Sequence, residues 1–136
     1  MNFNRGTGIG LVSPNVELNA KITEFVTVAD EITATYWTRQ NFTFSPPPTH
    51  RADFLSDKWV RIVNIEHTHD GGSRVSSVYA FIALVDNTTK ALGVVKPGDI
   101  HKPATFKAPA KHARGNVFEA NYRTCLNEHG PVYLRH

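Results

Sequence analysis

The sequence predicts an α+β fold in which one long N-terminal helix packs on a small antiparallel sheet of three to five strands. Apolar residues recur at helical spacing between residues 14 and 38, and β-branched and aromatic residues dominate two runs that follow residue 59. A chain of 136 residues, 40% of them apolar, can build one modest core. We therefore expect a single domain over 13–136, preceded by a flexible glycine-containing arm over 1–12.

The helix is expected over about 14–38. Ser13 is a suitable N-cap, and Pro14 suits the first helical position because a helix needs no backbone donor there. The apolar residues that follow are spaced by three or four, which places them in one stripe along the helix. That stripe consists of Leu18, Ile22, Phe25, Ala29, Ile32 and Tyr36. Three consecutive prolines within residues 45–49 then predict an extended connector, because proline has no backbone donor.

The half of the chain over 59–136 is predicted to be rich in β-structure. Residues 59–66 and 75–85 carry β-branched and aromatic side chains on either side of the turn-forming residues 69–73, so they are expected to form a hairpin. Both alternating faces of the second strand are mostly apolar. This pattern is typical of a central strand covered on both sides, and the N-terminal helix is a candidate cover for one of them.

Shorter elements are expected after the hairpin. Turn residues, prolines and glycines divide the remaining sequence into brief segments. The predicted elements are a third strand over 91–95, a turn over 96–99, a short edge segment over 100–104, a short helical turn over 109–114 and a terminal strand over 131–134.

Positive charge is concentrated in residues 96–114. That segment contains five lysines and arginines and one acid, so it carries +4, whereas the whole chain carries +3 and the remaining residues therefore sum to −1. Cations that follow phosphates, beside aromatic rings that stack on bases, are typical of single-strand binders. The candidate contacts are Lys102, Lys107, Lys111, His112 and Arg114 for phosphates, and Tyr79 or Phe106 for stacking. The alternatives are a solvated surface loop and basic residues that cap the predicted helical turn.

Other chemistries have weaker support in the sequence. His67 and His69 could share a strand end and bind zinc, but no second ligand cluster is evident, and a polar hairpin turn is the favoured explanation, so we expect no metal site. Cys125 and His129 lack an orienting carboxylate, so we expect no enzyme and no cofactor. No apolar run approaches the ~20 residues that span a bilayer, and the N-terminus lacks the apolar core of a signal peptide.

Four motifs resemble those of a widespread family of small tailed-bacteriophage proteins. That family carries a VYAF strand, a GD-x-x-KPA turn, a KAPAKHARGN core and a final GP-x-YL. The matching segments here are residues 77–81, 98–104, 106–118 and 130–135. This chain departs from the pattern by a longer stretch over 83–97. The resemblance implies a phage origin and a location in the host cytoplasm, and it carries over no catalytic residue because the family has no established activity.

The sequence thus supports two principal hypotheses of function. The first is a non-catalytic protein that binds single-stranded or structured RNA or DNA through the basic segment, without contact with a membrane. The second is a protein–protein interaction module, acting on a host factor or as a minor component of phage assembly, whose helix stripe could form a dimer or partner face. A zinc-dependent hydrolase that uses His67 and His69 is a third and weaker hypothesis.

Overall fold

The computed structural model describes residues 15–132 and confirms the α+β architecture. One long helix, α1, packs on a five-stranded antiparallel sheet in which the strands follow chain order, and a separate two-stranded ribbon lies near the C-terminus. The arm over 1–12, with Ser13 and Pro14, lies outside the described residues. The elements are α1 (Val16–Arg39), β1 (Thr49–Phe54), β2 (Trp59–His67), β3 (Ser73–Ala83), β4 (Asp99–His101), β5 (Gly115–Asn116), a 3-10 turn (Tyr122–Cys125), β6 (Leu126–Asn127) and β7 (Gly130–Pro131).

Helix α1 begins two residues later than predicted. Asn15, and not Ser13, is the N-cap, and its side chain accepts a hydrogen bond from the Leu18 backbone at 3.0 Å. The apolar stripe faces the sheet, and its first four members (Leu18, Ile22, Phe25 and Ala29) are fully buried there. The sheet therefore covers this part of the surface that was a candidate for dimer formation, while Ile32 and Tyr36 at the end of the stripe are partly buried.

Strand β1 was not expected from the sequence. It pairs with β2 along its whole length, from Thr49 opposite Ile65 to Phe54 opposite Val60. Its polar residues conceal the strand pattern, but they are paired in the structure. His50 bonds to Asp30 of α1 at 2.7 Å. The sheet therefore gains an edge strand directly after the proline connector.

The hairpin of β2 and β3 forms as predicted, with a register from Trp59 opposite Ala83 to His67 opposite Ser73. Only the second half of β3 is covered on both sides, because residues 79–84 are buried whereas residues 73–77 are exposed. We call the side that carries α1 the helix face. The opposite side, which carries Trp59, Arg61, Phe81 and His101, is called the loop face.

The segment after β3 differs from the prediction. Residues 91–95 form a turn with one isolated bridge between Thr89 and Gly93, and not a third strand, because β4 occupies the position beside β3. The turn over 96–99 is present: the Asp99 amide donates to the Lys96 carbonyl at 3.0 Å, and Gly98 has a φ of 86°, which suits glycine. Strand β4 lies between β3 and β5, so it is not an edge.

Residues 109–114 are irregular and do not form the predicted helical turn. Their backbone bonds to β4 and its continuation: the Ala110 amide donates to the Lys102 carbonyl, and the Arg114 amide donates to the Ile100 carbonyl, each at 2.7 Å. His112 adopts a left-handed φ of 69°. In the predicted terminal strand, Pro131 belongs to β7, whereas residues 133 and 134 lie outside the described part of the chain.

Candidate nucleic-acid interface

Residues 102–114, here called the basic loop, lie over the loop face of the sheet. The Nδ1 of buried His101 donates to the Ala110 carbonyl at 2.7 Å, and Arg61 of β2 donates to the Phe106 carbonyl at 3.1 Å. An isolated bridge between Pro103 and Pro109 closes the loop at its base. The loop is therefore attached to the sheet at both ends and at its tip.

The tip of the basic loop, residues 104–108, is a compact turn. The Ala104 amide donates to the Ala108 carbonyl at 2.9 Å. The hydroxyl of Thr105 accepts hydrogen bonds from the amides of Lys107 and Ala108, both at 3.1 Å. Local side-chain bonds of this kind fix a turn in advance. Phe106 and Lys107 are consequently presented side by side on an ordered turn.

Two of the predicted phosphate contacts are bonded to the protein itself. The ammonium group of Lys102 donates to the Pro131 carbonyl at 2.6 Å, and burial, together with the charge of Arg114, lowers the pKa of Lys102. The guanidinium of Arg114 donates to the carbonyls of Lys111, His112 and Val132. These two side chains hold the basic loop to the C-terminal segment, so their contribution to the fold accounts for their presence.

Tyr79 is not available for stacking on a base. Its side chain is fully buried, contacts Phe25 of α1 edge-on with ring centroids 6.1 Å apart, and donates to the Asn127 carbonyl at 2.7 Å. Burial is the largest cause of a pKa well above the usual range for a tyrosine. The predicted role of Tyr79 in stacking on a base does not fit this buried position.

The remaining candidates lie at the surface of the basic loop. Lys107, Lys111 and His112 are exposed, and Phe106 is 47% exposed. An exposed aromatic side chain next to a lysine combines a stacking surface with a charge for the phosphate backbone. Four of the seven predicted residues therefore keep the position that the binding hypothesis requires.

The structure adds Arg61, which was not among the residues predicted from the sequence. Its guanidinium carbon lies 4.3 Å from the centre of the Phe106 ring, in the geometry of a cation–π contact. The alternation of residues 59–66 carried a usable signal, because it places Arg61 on the same face as Trp59. What the sequence could not show is that a loop forty-five residues later crosses that face.

Arg61 is a partly desolvated cation. Burial is the largest influence on its pKa and lowers it, while the carboxylate of Asp53 acts in the opposite direction. Asp53 is already engaged by Arg51, whose guanidinium makes two hydrogen bonds to it, at 2.7 and 2.9 Å. Within residues 15–132 Arg61 forms no ion pair, and its Nε is buried without a hydrogen-bond partner. The positive charge of Arg61 is therefore not neutralised within the protein and would attract an anion near the tip of the basic loop.

The histidines and the cysteine that suggested other chemistries are separated in the structure. His67 bonds to the Thr49 hydroxyl at 2.8 Å, whereas His69 bonds to the Thr43 carbonyl at 2.9 Å. No cluster of three or more metal-ligating side chains is found in the described part of the chain. Burial raises the pKa of the Cys125 thiol to about 11, which disfavours the nucleophilic thiolate.

Comparison with known proteins gives one match. A family model, described as a family of unknown function (DUF7717), matches residues 49–130, which include all five strands of the main sheet and the basic loop. No curated protein and no solved structure matches the chain. The helix in the described region lacks the apolar length that a membrane span requires.

Proposed function

This chain belongs to the DUF7717 family, whose function is unknown, and we propose that it binds single-stranded nucleic acid through the tip of the basic loop without catalysing a reaction. The observation that carries the proposal is the arrangement of the tip. Phe106 is half-exposed with Arg61 over its ring, and the exposed Lys107 follows it on a turn that Thr105 has fixed.

The parts of this arrangement have distinct roles. The Phe106 ring stacks on one base, a contact that tolerates any base because each has a π face. Lys107 and Lys111, which are exposed, contact phosphates, and His112 lies beside Lys111 to assist them. Arg61 orients the ring and adds positive charge behind it. Lys102 and Arg114 act indirectly, because they position the loop.

The single-stranded form is favoured over the duplex by the shape of the site. One aromatic ring on a turn can contact an unstacked base, whereas the bases of a duplex are already stacked on each other. A helix that reads a duplex enters the major groove with a row of cations. No helix of the described region is suited to this, because α1 packs on the sheet and its only basic residues are Lys21 and Arg39. The resemblance to tailed-phage proteins adds the infected host cytoplasm as the proposed setting.

The proposal is tested by fluorescence anisotropy with a labelled oligouridine, the equivalent single-stranded DNA and a duplex. We expect the single strands to bind, and the double variant Lys107→Ala/Lys111→Ala to bind at least tenfold more weakly. A matched control, Lys21→Ala/Lys90→Ala, removes the same charge outside the basic loop and is expected to leave affinity within about twofold. Absence of binding by the wild type, or equal losses in the two double variants, would refute the proposal.

The alternative function, a protein–protein interaction module, predicts a different result. Because most of the helix stripe is buried, such a module would need another surface. Affinity purification from infected cells, with and without nuclease, separates the two functions. A partner that is lost on nuclease treatment supports the proposed function, whereas a protein partner that remains bound and does not require Lys107 and Lys111 favours the alternative.

A further inference from the structure

A second candidate site lies in a cleft beside the C-terminal half of α1. Two cavities of about 500 Å³ and about 250 Å³ adjoin there, and both are lined by Trp37, Pro48 and Glu66. The proline connector and the outer half of the β2–β3 hairpin form the other walls, and no residue of the basic loop takes part. The combined space is within the range of small-molecule sites in proteins.

The larger cavity has an apolar wall of aromatic and proline side chains. Trp37 and Phe44 line it with ring centroids 5.4 Å apart. The ring of Phe42 packs against both, with its centroid 4.8 Å from that of Trp37 and 5.2 Å from that of Phe44. The indole nitrogen of Trp37 donates to the Ser45 carbonyl at 2.9 Å, which fixes the ring. Phe44 is 69% exposed although it is a large apolar side chain, so the cost of its exposure is relieved if a ligand covers it.

One wall of the smaller cavity is formed by short polar side chains, and Tyr36, Pro48 and Val78 also line this cavity. Asn64 donates to the Ser77 hydroxyl at 2.8 Å, and Ser76 lies in the same cavity wall, which leaves amide and hydroxyl groups with remaining donor and acceptor capacity. Thr33 of α1 also lines this cavity, and its buried hydroxyl has no hydrogen-bond partner. The cavity therefore offers several donors and acceptors close together.

The charges around the cleft do not favour an anion. Glu66 lines both cavities and is paired with Arg74 at 3.0 Å. Glu128 lines the smaller cavity, with His129 at 3.7 Å. The two carboxylates face one guanidinium and two imidazoles, those of His67 and His129. With neutral imidazoles the lining carries a net charge of −1 (two negative charges and one positive), so a phosphate group would meet repulsion here. A neutral ligand whose hydroxyl groups donate to the carboxylates fits this balance.

We propose that the cleft binds a neutral saccharide of about two sugar rings. A sugar ring has an aliphatic C–H face, which packs against the negative face of an aromatic ring, and an edge of hydroxyl groups that both donate and accept. The cleft has a similar division, with Phe44 at one end, Asn64, Ser77 and Glu128 at the other, and Trp37 bordering both cavities. This site is independent of the proposed nucleic-acid interface, which the basic loop forms.

The test is saturation-transfer NMR of the full chain with maltose, cellobiose, lactose and trehalose, with glucose 6-phosphate and adenosine as comparison probes. We expect at least one neutral disaccharide to receive transfer at its ring protons and to outcompete both comparison probes. Absence of transfer to all four disaccharides would overturn the proposal. Binding of adenosine without any disaccharide would also overturn it, because that result assigns the cleft to an aromatic ligand.

Two variants with matched controls locate the binding. Phe44→Ala is expected to weaken disaccharide binding by roughly two- to tenfold, the range for loss of one ring contact. Val94→Ala, at a side chain that is 72% exposed on another loop, should leave it unchanged. Glu128→Gln should weaken binding without loss of the fold, and Glu119→Gln should not. Equal effects of a variant and its control would place the ligand elsewhere and refute the assignment.

Discussion

Replacement of Arg114 by alanine separates a positioning role from direct contact with nucleic acid. In the structure the Arg114 guanidinium donates to three backbone carbonyls, those of Lys111, His112 and Val132. It thereby fastens the end of the basic loop to the C-terminal segment. The expected result is a loss of stability, accompanied by weaker binding that follows from disorder of the loop.

The magnitude of the stability loss follows from the three hydrogen bonds. A neutral hydrogen bond contributes about 1 kcal/mol net, and a charged donor contributes more where water is excluded. Two of the acceptor carbonyls belong to the exposed residues Lys111 and His112, so the lower value applies to them. We therefore expect Arg114→Ala to reduce the free energy of unfolding by about 2–3 kcal/mol, which is a large part of the stability of a small domain.

Urea denaturation measures this loss, and Lys111→Ala provides the control, with an expected change within about 0.5 kcal/mol because that side chain is exposed. Arg114→Lys keeps the charge but cannot reach three carbonyls, so its stability should fall close to that of the alanine variant. A positioning role for Arg114 would be contradicted if Arg114→Ala were as stable as the wild type, or if Arg114→Lys retained both stability and binding.

Three further predictions concern the aromatic tip, a buried histidine and a glycine. Phe106→Ala should weaken binding of single-stranded oligonucleotides by about 1–3 kcal/mol in anisotropy titrations, whereas Phe106→Tyr, which keeps the ring, should bind like the wild type. Burial is the largest cause of the lowered pKa of His101, so the folded state favours its neutral form. Because the unfolded chain then takes up the proton first, the contribution of His101 to stability is complete above about pH 6.5 and is lost as the pH falls towards its folded-state pKa. Urea denaturation across this range should show a steeper decline for the wild type than for His101→Gln, and parallel curves would contradict the assignment. Gly130 has a φ of 117°, and a Cβ there would collide with the Tyr79 carbonyl. Gly130→Ala should therefore lower the melting temperature by several degrees in a thermal scan. Gly71→Ala, where a Cβ meets open space, should have a smaller effect in the same scan.

The parts of the fold that the sequence predicted are those with strong local signals. The stripe from Leu18 to Ala29 has helical spacing, and the hairpin strands have β-branched residues on both sides of a glycine turn. The turn at Gly98 follows from a proline and glycine in adjacent positions. In each case the residues that determine the element are neighbours in the chain.

The errors arise where distant contacts decide the structure. Regular alternation along β3 would place Tyr79 and Phe81 on the same face. The register instead shifts between the pairs Ile62–Ala80 and Val63–Val78, which leaves Tyr79 as an extra residue. Tyr79 consequently contacts Phe25 on the helix face, whereas Phe81 contacts Trp59 on the loop face. A bulge of this kind has no reliable signal in a single sequence.

Only part of the candidate site could be predicted from the sequence, because contacts between distant residues also determine where its side chains lie. Lys107 and Phe106 could be selected because they are neighbours in a basic segment, and they remain exposed at the tip. Arg114 was predicted to contact phosphate, whereas in the structure it donates to the Val132 carbonyl. Val132 lies eighteen residues later in the chain, so no local pattern in the sequence indicates this hydrogen bond. Arg61 was missed because its contact with Phe106 depends on where the loop crosses the sheet.

The salt dependence of single-strand binding tests the central claim most directly. For a single strand, the logarithm of the binding constant falls with the logarithm of the salt concentration by about 0.7 for each phosphate that is neutralised. We expect Lys107→Ala/Lys111→Ala to make this slope shallower by about 1.4, because two contacts are lost, whereas Arg114→Lys should leave the slope unchanged. A wild-type slope near zero, or a double variant with the wild-type slope, would contradict the claim that these two lysines contact the backbone.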